Sequence, residues 1–295
     1  MLEFKKIELS DKEWVDRLLS LSDYRGAEYN FTNLFIWDVV YKSEIGRFRD
    51  FFLLRAGTPG EYYYLYPAGR GDRREVIEEL MEDASREDCN LSLIGLTRET
   101  KGELEKMFPG KFRYTAIRDS FDYIYEAEKM MTLSGKKLQP KRNHLNYFVS
   151  NYNWTYEDLT PDKVEEVREF SHEWCRRNEC KSVDTLALES CAVEKCLNNY
   201  GSLNLKGGIL RVDGQIVGYT IGEALNSDTI VVHVEKAFQE FRGAYQFINR
   251  EFIKKNAPGF QYVNREDDIG DEGLRKAKES YYPIFMHEKF TATLF

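Results

Sequence analysis

One order of elements is written twice along this chain, and that doubling limits the folds open to it more than any other feature. SDKEWVDRLLSLSD begins a helix that Ser10 can cap, with Glu13 as the capping-box acid. TPDKVEEVREFSHEWCRRNE begins another, with Thr160 as cap and Pro161 at the first helical position. A looser helical region follows each, and then a β-rich stretch: RFRDFFLLRAGTPGEYYYLYP in the first half, GGILRVDGQIVGYTIGEALNSDTIVVHVEKA in the second. Thr58-Pro59-Gly60, Asp213-Gly214 and Asn226-Ser227-Asp228 mark hairpin turns within them. The halves then share helix, strand, helix and closing strand. The first reads REVIEELMEDASRED, NLSLIGL, TKGELEKMF, FDYIYEAE; the second reads AYQFINREFIKKN, FQYVN, GDEGLRKAKESYY, IFMHEKFTATLF.

Helix, antiparallel strands, helix, strand, helix, strand is the order of the GNAT acyltransferase fold. The expected class is therefore α/β, with mixed sheets of the α+β kind, in two tandem GNAT-like domains of residues 1–130 and 131–295. Their boundary falls near Glu128 to Gly135 with no Pro/Gly/Ser-rich linker, so the halves are expected to pack together. Apolar residues make up 42% of the chain, enough for a core of this size. The net charge of −8 argues against a generally basic nucleic-acid binder. One stretch runs against it: SGKKLQPKRNH carries Lys136, Lys137, Lys141 and Arg142 without an acid. The first residues carry charge where a signal peptide needs an apolar run, and no stretch reaches transmembrane length. A soluble, cytoplasmic protein is expected. Its five cysteines, an odd number, point to reduced thiols. The C-x4-C pairs Cys175/Cys180 and Cys191/Cys196 lie in helical segments, where that offset does not place both thiols on one face. They read as small buried residues, with no metal site.

Candidate site residues gather in the second half. YVNREDDIGDEGLRKAKESYYP opens on the end of a strand and turns polar at once; its first-half counterpart, IGLTRE, is far less charged. Ligands of open α/β sheets sit beyond the carboxyl ends of strands, which places Asn264, Arg265, Glu266 and Asp268 beside a cleft. Asn264, Glu266 and Asp268 share a face if the strand continues. In DTIVVHVEKA, alternation puts His233 and Glu235 on one face and Lys236 on the other. A half-buried carboxylate beside an imidazole suits a general base, and Glu223 at the end of the preceding strand is a second carboxylate within reach. Arg242 and Gly243 stand at a helix start where a GNAT fold offers backbone N–H groups to a pyrophosphate. Tyr245 and Gln246 occupy places where the R/Q-x-x-G-x-G/A coenzyme signature would have small residues, and Asn249 follows on the same helix. Further on, Leu274, Ala277 and Tyr281 form an apolar stripe, with Arg275, Lys278 and Tyr282 as a cationic flank one step around it. Lys141, Arg142 and His144, beside Tyr147 and Phe148, read either as contacts to phosphates of RNA or of a lipid headgroup or as an inter-domain segment anchored by its aromatics.

Three motifs in order, KKLQPKRNHLNYF, HVEKAFQEFRGAYQFINREF and YVNREDDIGDEGLRKAKESYYP, resemble the bacterial family related to the C-terminal domain of phosphatidylglycerol lysyltransferase. Such domains are tandem GNAT folds akin to the Fem-type aminoacyl transferases. The resemblance implies that an acyl or aminoacyl group passes to an amine or hydroxyl, such as a lipid headgroup or peptide, with charged tRNA as donor. Glu235, with His233, would deprotonate the acceptor; Arg242, Arg265, Arg275 and Lys278 would hold anionic groups. Two alternatives stand beside this reading. One is an acetyl-CoA-dependent N-acetyltransferase, the other a non-catalytic tandem-GNAT protein that binds an amino-acid-like ligand.

Overall fold

The computed structural model describes residues 2–180 and 184–295. It divides into two compact units, the first of Met1–Asp122, Asp267–Glu272 and Met286–Phe295, the second of Tyr123–Glu266 and Gly273–Phe285. In the first unit, β1 (Phe4–Lys6), α1 (Lys12–Ser20) and α2 (Phe31–Tyr41) precede β2 (Glu44–Phe48), β3 (Phe51–Ala56), β4 (Tyr63–Leu65) and β5 (Ala68–Gly69). Then come α3 (Arg73–Arg86), β6 (Ser92–Leu96), α4 (Arg98–Met107) and β7 (Phe112–Ala116). The cap before α1 differs from expectation. Asp11, not Ser10, makes the reciprocal bonds, its carboxylate accepting from Glu8 N at 2.9 Å, because the chain starts with a 3-10 turn before the helix proper. One core of Phe51, Leu53, Tyr64, Tyr66, Val76, Ile77, Leu80, Leu93 and Leu104 lies between α3, α4 and the sheet.

The second unit holds β8 (Asp122–Glu126), α5 (Ala127–Thr132), α6 (Gln139–Asn151), β9 (Trp154–Asp158), α7 (Val164–Arg177), α8 (Asp184–Asn198) and α9 (Tyr200–Leu203). After them run β10 (Lys206–Val212), β11 (Gln215–Ala224), β12 (Thr229–Ala237), α10 (Ala244–Asn256), β13 (Tyr262–Asn264), α11 (Glu272–Glu279) and β14 (Phe285–His287). Their seven-stranded sheet has the order β14-β8-β13-β12-β11-β10-β9. Asp213 and Gly214, at φ of 49° and 82°, make the β10–β11 turn, as the sequence predicts; both positive dihedrals suit a tight two-residue hairpin. The sheet is covered on both faces. Tyr219 bonds Ser171 of α7 at 3.0 Å, while Gly222 on the opposite face lets the Phe252 ring of α10 close in. Phe247 and Phe252 of α10 are fully buried, each contributing about 1.5–3 kcal/mol.

The closing strands depart from the expected plan. β15 (Phe290–Leu294) does not join the second sheet; it lies between β6 and β7, antiparallel to both, in the first unit's eight-stranded sheet of order β1-β2-β3-β4-β6-β15-β7, with β5 beside β3. β8, encoded in the first half, pairs instead with β13 of the second sheet. Each sheet is thus closed by a strand from the other half of the sequence, whereas the halves 1–130 and 131–295 give each its own. Amphipathic strands of similar length carry no label of their partners.

The cysteines also differ from expectation. Cys175 and Cys180 form a disulfide with Cα atoms 5.1 Å apart, because the chain leaves α7 and turns back, Glu179 taking φ of +50°. Cys89, Cys191 and Cys196 are free, and Cys196 is buried. Among the described residues, no helix is long and apolar enough to cross a membrane.

Candidate active site

The site begins where β12 and β13 part. Their parallel ladder pairs Thr229 with Tyr262, Ile230 with Val263 and Val231 with Asn264, and stops there, while β12 runs on to Ala237. A strand that outlasts its neighbour leaves a crevice at the carboxyl end of the ladder. Side chains bridge it. Arg265, just past β13, donates from Nη2 to Glu235 Oε1 at 2.9 Å, and Asn249 of α10 donates from Nδ2 to Glu235 Oε2 at 2.5 Å. The Glu235 and Arg265 side chains are 9% and 13% exposed.

Beside this carboxylate, Arg265 Nη1, a donor, and Asn249 Oδ1, an acceptor, are buried without a hydrogen-bond partner among the described residues. Leaving such atoms unbonded costs about 1–3 kcal/mol each. They therefore suit a bound group that can both accept and donate. The walls are aromatic and cationic. The Arg265 guanidinium stands 5.0 Å from the Tyr281 ring centroid and 5.9 Å from that of Tyr125, and Lys141 Nζ of α6 stands 4.3 Å from Tyr281. Burial pushes the Tyr281 phenol up, against the Arg265 charge and the nearby Gln246 amide, which pull it down. Burial holds the Lys141 ammonium below its ordinary pKa, and the Arg265 charge adds to that, against a pull from Glu235. Burial also opposes the charge on Arg265, but Glu235 and the phenols of Tyr125 and Tyr281 outweigh it and raise its pKa. The sequence pattern marks Tyr281 only as core and Tyr125 not at all, since buried tyrosines look alike whether or not they line a site.

His233 does not share a face with Glu235. In the β11–β12 ladder Ile221 pairs with Val234 and Gly222 with Val232, which leaves His233 as the extra residue of a β-bulge. That insertion breaks strict alternation. Glu235 turns to α10, while His233 meets Glu223, which points away from Gly222 and α10. The ring Nδ1 lies 2.9 Å from Glu266 Oε1 and Nε2 lies 3.2 Å from Glu223 Oε1. Glu223 and Glu266 thus belong with His233 and not with the Glu235 crevice.

Other predicted positions separate further. Asp268 is buried in the first unit, where Arg118 donates to it at 3.1 Å; the strand ends at Asn264 instead of continuing to bring the two together. Asn264 is buried, and its Oδ1 accepts from Glu266 N at 2.7 Å. On α11 the expected faces are reversed. Leu274 is 39% exposed and Ala277 is exposed, whereas Lys278 is buried, because its ammonium donates to Arg265 O at 2.7 Å. Arg275 is half-buried, and Tyr282 is 51% exposed under Lys137, whose Nζ stands 5.3 Å from its ring. Arg142 donates to the carbonyls of Leu133 and Gly135 and to Gln139, securing the start of its own helix. Lys236 is buried on the α7–α8 face, bonded to Glu189 at 2.9 Å over the Trp174 ring.

Arg242 stacks on Tyr147 at 4.5 Å, and burial followed by the charges of Arg242 and Lys141 lowers the pKa of His144. Gly243 caps α10 at φ of +96°, where a Cβ would stand 2.1 Å from the carbonyl oxygen of His144. The glycine makes room for α6. Tyr245 is largely buried close to Glu235, near enough for the carboxylate charge to raise its phenol pKa further, after burial. In the first unit the equivalent junction is closed: the Tyr29 hydroxyl shares its one hydrogen between Tyr66 O at 3.1 Å and Gly95 O at 3.3 Å, spanning the ends of β4 and β6.

The model of the phosphatidylglycerol lysyltransferase C-terminal family matches residues 19–293. A crystal structure of a conserved protein of unknown function from Bacteroides thetaiotaomicron is 38% identical and covers all of both chains, with a TM-score of 0.96. The structure of L-PGS from Bacillus licheniformis is 18% identical over 98% of this chain and 94% of that one, with a TM-score of 0.68. FemX is 9% identical over 99% and 97%, with a TM-score of 0.64. The fold is the tandem GNAT fold.

Proposed function

Because the chain belongs to the family of the phosphatidylglycerol lysyltransferase C-terminal domain, we propose that it moves an aminoacyl group to an amine or hydroxyl acceptor in the crevice around Glu235. The observation that carries this reading is the pair of unpartnered atoms, Arg265 Nη1 and Asn249 Oδ1, on either side of one buried carboxylate. An aminoacyl ester offers both complements, a carbonyl oxygen that accepts and an ammonium that donates.

In the reaction, the acceptor attacks the ester carbonyl while its proton passes to Glu235. Arg265 Nη1 supports the carbonyl oxygen as it gathers negative charge, and Asn249 Oδ1 receives the aminoacyl ammonium. The acyl C–O bond then breaks, and the leaving oxygen takes the proton that Glu235 received, which restores the carboxylate. Charged tRNA is the donor that the resemblance implies. Lys141, with Lys136 and Lys137, lies on the cationic stretch that would meet its phosphates, and the acceptor is a lipid headgroup or a peptide amine. The acetyl-CoA alternative is the weaker one, since the space beside Gly243 at the start of α10 is taken by the His144 carbonyl.

The test is transfer of a radiolabelled amino acid from a panel of charged tRNAs to phosphatidylglycerol micelles and to free amines. Transfer that falls at least ~100-fold in Glu235→Gln supports the reading. Transfer that survives the change removes Glu235 as base. A rise in Tm with an amino acid but no transfer from any donor favours the ligand-binding protein instead.

A further inference from the structure

His233 lies outside the Glu235 crevice, yet its surroundings are as specific. The side chain is 1% exposed, with Nδ1 against Glu266 and Nε2 against Glu223 at 2.9 and 3.2 Å. Only the charged ring, with hydrogen on both nitrogens, can donate to two carboxylates at once, so this pairing favours the doubly protonated form. As the extra residue of the β12 bulge, His233 has no register partner on β11 and is held by its side chain. Glu266 adjoins Arg265 in sequence and sits at φ of +55°, a conformation a glutamate keeps only when its surroundings impose it. The surroundings are visible: Asn264 Oδ1 takes its N–H at 2.7 Å, Tyr123 N donates to its carbonyl at 3.2 Å, and His233 takes its carboxylate.

We propose that His233 is a positioning residue: by holding Glu223 of β11 and Glu266 together, it fixes the turn after β13 and so aims Arg265 at Glu235. The proposal rests on the reading of the Glu235 crevice as the transfer site. Among the described residues, the titratable groups facing the ring are Glu223 from β11, Glu266 from the turn, and the thiol of Cys196 on α8, which burial and then the two carboxylates push up to about 12. Burial disfavours the charged ring, but the bonds and charges of the two glutamates outweigh it and raise its pKa to about 9. The clamp is therefore closed at neutral pH and opens as the ring loses its proton.

The test follows the His233 ring nitrogens and the Arg265 guanidinium by nitrogen-15 NMR from pH 6 to 10.5, in the wild type and in His233→Gln. The expected result is a doubly protonated ring at pH 7 that titrates near pH 9, with the Arg265 signals moving at the same midpoint. In the variant those signals are displaced at all pH values and do not titrate with that midpoint. A ring that is neutral at pH 7, or Arg265 signals indifferent to its titration, overturns the proposal. The wild-type titration decides the matter even if the variant fails to fold. Where transfer is measurable, kcat falls about tenfold in His233→Gln with KM little changed, and the wild-type alkaline limb near pH 9 is absent from the variant. If transfer is never observed, the reading of the site fails while the NMR result still decides the clamp.

Discussion

At Gly243 the backbone conformation and the packing make the same demand. Alanine there must adopt φ near +96° and place its Cβ 2.1 Å from the carbonyl oxygen of His144. Gly243→Ala should cost at least about 1–3 kcal/mol, read as a lower urea midpoint, since strain and overlap add. His233 gives a stability dependence on pH. Its pKa rises on folding from the ordinary 6.5 to about 9, so its contribution is whole below pH 6.5, declines as pH rises, and is gone once pH passes about 9. Denaturation midpoints between pH 6.5 and 9.5 should fall by the equivalent of a few kcal/mol in the wild type and much less in His233→Gln. The sequence marks Glu235 as a carboxylate beside an imidazole on a central strand, and that strand was legible. The face of His233 was not. Alternation of Val231, His233 and Glu235 reads straight through a bulge, which adds a residue without altering the hydrophobic pattern.

Among the elements, α11 is where pattern and structure disagree most. Leu274, Ala277 and Tyr281 fit a helical stripe, but only Tyr281 is buried, and Lys278 occupies the inner face because the Arg265 carbonyl requires a donor there. Leu274→Ser should change the unfolding free energy by no more than about 0.5 kcal/mol. Lys278→Met should cost about 1–3 kcal/mol by leaving that carbonyl unbonded, and chemical denaturation of the two variants side by side checks the contrast. A lysine reads as a surface residue in any sequence pattern, since only a tertiary partner brings it inside. The hairpin at Asp213-Gly214 was legible for the opposite reason: its dihedrals are set locally, by the two residues that adopt them.

For the molecule as a whole, the doubled element order was legible and the exchange of its closing strands was not. Fragments 1–130 and 131–295 should each fail to give a cooperatively folded protein alone. The first lacks β15 between β6 and β7, and the second lacks β8 beside β13. Mixing the two should restore a cooperative thermal transition, which calorimetry would detect. The exchange also sets an order in time. On the ribosome, β15 appears about 190 residues after β6, at synthesis rates of about 5–20 residues per second. For roughly 10–40 seconds the nascent first unit therefore carries two unfilled strand edges, facing each other across a gap one strand wide. A chaperone that shields sheet edges during that interval would raise the yield of folded chains more than one acting after release.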